Sequence, residues 1–186
     1  MGLLQVATTT VTSATASVSL VGINSDDVYM VTGVGIGVET NIREINMRIT
    51  KSGSVQSDSQ YDFAYKRLIS NAVFANLSAT NNSFIRWDSD LGTGTSEFCN
   101  FIIYLYNFNS SSEFSYGTLE EVDVNHVENA MGAQGGFVHT VASASDGLNF
   151  QGESSSNILS GTFTLYKVIW YEYRIWLHRK RSWTGF

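Results

Sequence analysis

The chain has 186 residues, 43% hydrophobic and 15% charged, with a formal net charge of −6. Those values fit one globular domain and exclude a disordered or low-complexity chain. Charge is uneven: residues 1–165 hold six Lys and Arg against sixteen Asp and Glu (−10), and residues 166–186 hold five against one (+4), so the acidic body lacks the clustered cations that phosphate binding needs and nucleic acid is not expected as its partner.

The opening "MGLLQVATTTV" lacks the basic start and continuous apolar centre of a signal peptide. Val6 stands where a myristoylation motif wants Ser or Thr. No run in the chain approaches the ~20 apolar residues of a membrane-spanning helix, so no membrane partner is expected. "LLQVATTTV" and "ATASVSLVG" combine β-branched residues with alternation, Val18 and Leu20 facing one way and Ser17 and Ser19 the other, which predicts strands. "SDD" supplies a turn, and "VYMVTGVGI" resumes the pattern. "REINMRIT" alternates most cleanly, with Ile45, Met47 and Ile49 on one face and Glu44, Asn46, Arg48 and Thr50 on the other, as in a strand with one face in water. "YDFAYKRLI" reads as a strand through Tyr61, Phe63 and Tyr65, although one helical turn would also fit. "SFIRWDSD" is a further strand. "FCNFIIYLYNF" is a long apolar run and predicts a central strand covered on both faces. "FSYGTLEEVDV", the Gly-rich "NAMGAQGGFVHTVAS", "GLNFQGE" and "SGTFTLYKV" complete the series. The chain has no proline, so Gly, Asn, Asp and Ser must make the turns. Eight to ten short strands imply an all-β fold, an antiparallel β-sandwich of jelly-roll type.

Few residue patterns point to chemistry. "GVGIGV" (33–38) places its third glycine one position early for a dinucleotide loop and is followed by strand, so a bulge or tight turn between strands is expected. Asp88 and Asp90 begin a calcium-loop spacing, but Gly92 and Cys99 stand where further ligands belong. Glu120, Glu121 and Asp123 contain the acids of a glycosidase pair, yet neighbouring acids in an alternating strand usually mark its solvated face. His126 and His139 lack zinc spacing, and no G-x-S-x-G elbow occurs. Cys99, the single cysteine, can form no internal disulfide and reads as a small buried hydrophobe. The sequons at Asn76, Asn81 and Asn109 read as loop composition. No enzymatic activity, cofactor or metal is expected. Tyr61, Tyr65 and Trp87 would be the sugar-stacking residues if the domain were a carbohydrate-binding module, burial being the default for such aromatics.

Three stretches, in order, resemble a group of small virion proteins of tailed bacteriophages, marine ones especially. They are the Thr/Ser-rich opening that leads into "DDVYMV"; "GTGTSEFCNFIIYLYNFNSSSEFSYGTLEE"; and "GGFVHTVASASDGLNFQGESSSNILSGTFTLYKV", which is similar to a closing G-N-I-x-S-G-T-F-T-L-Y-G strand. The resemblance covers roughly residues 1–168. It implies a non-enzymatic β-sandwich present in many copies on the virion, made in the bacterial cytoplasm. A tail or tail-fibre location is expected first and capsid decoration second. Its expected partners are other virion proteins, further copies of itself and host-surface glycans. Leu159 within the closing motif and Lys167 in place of its final glycine depart from the pattern.

Residues 169–186, "IWYEYRIWLHRKRSWTGF", run past the point where that resemblance ends. Trp170, Tyr173, Trp176, Arg179, Lys180 and Arg181 are the candidate subunit-contact residues, since Trp, Tyr and Arg are common interface anchors. Three readings compete: an extension of the last strand that docks on the sandwich or on a neighbour, a basic arm toward nucleic acid or the acidic body of another copy, and untuned read-through sequence.

Overall fold

Alternation of apolar and polar residues turns most of the described chain into strands. The computed structural model describes residues 1–71, 74–87 and 90–170. The strands are β1 (Gly2–Val11), β2 (Ser17–Val21), β3 (Tyr29–Val38), β4 (Ile45–Lys51), β5 (Ser54–Val55), β6 (Tyr61–Ile69), β7 (Ala75–Asn82), β8 (Ile85–Arg86), β9 (Cys99–Tyr106), β10 (Ser115–Val124), β11 (Ala130–His139), β12 (Gly147–Gly152) and β13 (Ile158–Ile169). A single 3₁₀ turn, Glu153–Ser155, is the one helical element among the described residues. The thirteen strands exceed the expected eight to ten. Two of them, β5 and β8, are two residues long, and β7 is a polar strand, "ANLSATNN", with little apolar signal to betray it.

The strands form two antiparallel sheets. The large one has eight strands in the order β1-β13-β3-β9-β10-β11-β6-β7, and the small one runs β2-β12-β4-β5 with β8 beside β4. Their facing sides share one hydrophobic core, the arrangement of a sandwich. Its centre is aromatic: Phe101 of the large sheet lies 5.5 Å from Phe150 of the small one and 6.1 Å from Phe163, with Trp87 edge-on to Phe101 at 5.3 Å. Such offset and edge contacts add to the area that these rings bury. Tyr61 ties the sheets in a different way. From β6 its hydroxyl accepts the Ile49 N–H of β4 at 3.2 Å and donates to the Gln56 carbonyl at 2.8 Å.

Three expectations change. β4 is not half in water, because Asn46 and Thr50 are buried together with the apolar face. Thr50 Oγ1 donates to Asp146 Oδ1 at 2.6 Å, and Arg48 donates to the Ser83 carbonyl while lying over the Phe84 ring, so neighbouring loops cover that side. β9 is central in the large sheet, but only one of its faces is covered: Phe101, Ile103 and Leu105 are buried, while Ile102 and Tyr106 are exposed. "GVGIGV" holds a bulge, as expected, but the bulge lies inside β3 and is not a turn between strands. Gly33 sits opposite Phe101, where an added Cβ would collide with the ring. Gly35 takes φ +64° in a bulge, a conformation that favours glycine. Asn100 Oδ1 accepts the Gly35 N–H and Ser160 Oγ donates to its carbonyl, so the bulge leaves neither group unpaired.

Candidate functional site

The large sheet has two faces of different character, and the alternation along each strand assigns every side chain to one of them. The inner face is the core. On the outer face, β3, β9 and β10 present Val34, Ile102, Val122, Tyr106 and Tyr116, all exposed, with Val34 and Val122 near 60% accessible. Depressions of about 420 Å³ over Val34, Ile102 and Val122, and of about 620 Å³ over Ala64, Ser78 and Gly136, interrupt this face. Toward β1 the surface turns to threonine: Thr8 and Thr164 share a hydroxyl hydrogen bond at 3.0 Å, and Thr10 and Thr162 another at 3.1 Å. Charge on this face is confined to Glu120, Lys66 and Asp62, as the strand alternation and register place them. Asp62 is occupied within the sheet, since its carboxylate accepts the Asn81 N–H at 2.7 Å.

The inner face holds a second unusual group at the far end of β10. Glu121 and Asp123 point into the protein and are 7% and 3% exposed, while Val122 between them faces out. This overturns the expectation of a solvated acidic face, because only Glu120 of the three acids is in water. Cys99 Sγ lies 3.5 Å from Glu121 Oε1, with the thiol as donor. Loss of water is the main influence that raises the Glu121 pKa well above the ordinary range, and the Asp123 charge adds to it. Burial pushes the Cys99 thiol up first, and the two carboxylates add to the effect. Such a thiol is inert as a nucleophile. Arg67 stands in the same inner row across Ala133, and its guanidinium reaches Asp90 at 3.8 Å. The cluster is enclosed rather than open to a substrate. Among the described residues no group of three or more His, Cys, Asp or Glu side chains is placed to hold a metal ion. No family model, curated protein or solved structure matches the chain.

The residues singled out from sequence fall on both sides of this division. Tyr61, Tyr65 and Trp87 are all buried in the core, which removes them as sugar-stacking platforms. His139 is buried against Tyr61, with ring centroids 5.0 Å apart, and burial lowers its pKa to about 4, helped by Lys51. Cys99 is buried, as expected. Asn76 and Asn81 lie in strand β7 rather than in loops. Asp88 lies outside the described residues. So do Tyr173, Trp176, Arg179, Lys180 and Arg181, while Trp170 directly follows β13 and is 67% exposed. No helix among the described residues is long and apolar enough to cross a membrane. Sequence reasoning missed the outer-face residues, although Ile102 and Tyr106 alternate with Phe101, Ile103 and Leu105 in a run that already carried the signal.

Proposed function

We propose that the chain is a non-enzymatic structural protein of a tailed-phage virion, present in several copies and associated with the tail or tail fibres. The observation that carries this reading is where the three resembling stretches fall. Residues 1–31, 92–121 and 135–168 are far apart in sequence, yet they supply β1, β9, nearly all of β13, most of β10, half of β11 and the first three residues of β3 in the large sheet, and the paired strands β2 and β12 in the small one. That the likeness falls on strands that neighbour one another in each sheet favours a shared domain over chance likeness in separate strands. The exposed apolar cluster of Val34, Ile102, Tyr106, Tyr116 and Val122 on the outer face supports the multi-copy part of the reading, because exposed apolar patches commonly mark protein contacts. Immunogold labelling of purified particles with an antibody to this chain tests it. Label along the tail is expected. Label on head facets alone would move the protein to capsid decoration, and particles without label would end the virion reading.

A further inference from the structure

We infer that the outer face of the large sheet pairs with the same face of a second copy, about a two-fold axis that runs along β11. This rests on the multi-copy part of the proposed function and gives it a surface and a geometry.

Each copy carries a net charge of −6, so two copies repel wherever their acidic surfaces meet. The outer face is a place where they can approach, and its charge pattern is self-complementary. Glu120 of β10, Gln134 of β11 and Lys66 of β6 stand opposite one another in a single row of the sheet. Gln134 Nε2 donates to Glu120 Oε1 at 3.0 Å, and the Lys66 ammonium lies 5.5 Å over the Phe74 ring. Acid and base are thus two strand spacings apart, roughly 9–10 Å, with a neutral amide midway. A two-fold axis parallel to β11 at Gln134 sets Glu120 of one copy against Lys66 of the other, and does so twice. The same operation sets exposed Val122 of β10 against exposed Leu68 of β6, because these two flank Gly132 in the neighbouring row. An isologous interface requires this correspondence, in which residue i meets j and j meets i.

The remaining features fit a close sheet-to-sheet contact. Gly132 and Gly136 carry no side chain on the strand that would lie nearest the axis. About this axis β9, β10, β11, β6 and β7 overlap their counterparts, and five strands spaced ~4.8 Å apart and ~25 Å long make roughly 600 Å² per partner, at the low end of the ~1,200–2,000 Å² in total that specific interfaces bury.

Sedimentation equilibrium of the full chain and its charge variants tests the pairing. The chain is expected to dimerise. Glu120→Lys alone and Lys66→Glu alone should each weaken the dimer by roughly tenfold or more, since each sets like charges face to face. The double variant Glu120→Lys with Lys66→Glu should restore it to near the starting affinity. Val122→Arg should weaken the dimer without rescue. All three substituted side chains are exposed, and far-UV circular dichroism checks that the four variants fold. A chain that stays monomeric at ~100 µM, a dimer indifferent to the single reversals, or a double reversal that fails to rescue would each overturn the pairing. A protein that labels phage particles yet is monomeric would lose the pairing and keep the virion reading, and a rescued dimer absent from particles would do the opposite.

Discussion

Glu121 shows how one buried side chain can set a pH dependence for the whole domain. Its pKa in the folded state is raised above the ordinary carboxyl value by burial and by Asp123, so the folded state holds the proton more tightly than the unfolded chain does. The stability linked to that proton is complete below about pH 4.5 and is lost as pH rises through the folded-state pKa. Glu121→Gln cannot ionise and should raise unfolding stability at pH 8, with little change at pH 4.5; urea titrations at both pH values measure this. His139 acts in the other direction. Its pKa is lowered to about 4, so its contribution is present above about pH 6.5 and is lost as pH falls toward 4. Gly33 is a residue-scale constraint of a steric kind. Gly33→Ala would press a methyl group into the Phe101 ring at the aromatic centre and should cost about 1–3 kcal/mol, read as a lower melting temperature.

At the scale of elements, Tyr61 is the clearest link between sheets. Tyr61→Phe keeps the ring in the core but removes the bonds to Ile49 and Gln56; a loss of about 1–2 kcal/mol is expected in urea unfolding. The strands themselves were largely legible. In β2 the phase was legible because Val18 and Leu20 alternate with serines and are the buried residues. In β6 Tyr61, Phe63 and Tyr65 are buried as their alternation implies, although one helical turn also fitted and the pattern breaks at Arg67 and exposed Leu68. β10 was misread because its pattern supports either phase: Leu119 and Val122 lie on opposite faces, and composition alone would bury Val122 in preference to Glu121. β9 misled in the reverse sense. A continuous apolar run suggested cover on both sides, yet the sheet leaves Ile102 and Tyr106 open. Periodicity reports which residues share a face, and it does not say what lies against that face.

For the molecule as a whole, the described core uses no residue beyond Val168. A chain shortened to residues 1–170 is therefore expected to fold and to melt within a few degrees of the full chain, as differential scanning calorimetry can check. A large drop would show that residues 171–186 contribute to the fold and would favour the docking reading of that segment over read-through. The order of the large sheet has a consequence for synthesis. β13 lies between β1 and β3, and it is the strand paired with β1, with Gly2 opposite Ile169. On the ribosome, β1 emerges about 150 residues ahead of that neighbour. Until then an uncharged, proline-free ten-residue strand has its ladder groups unsatisfied and can add to any free edge it meets. Long-range pairing of this kind is slow, so the nascent chain is exposed to aggregation until β13 is released, and yield in the cell should depend on chaperones that shield β1.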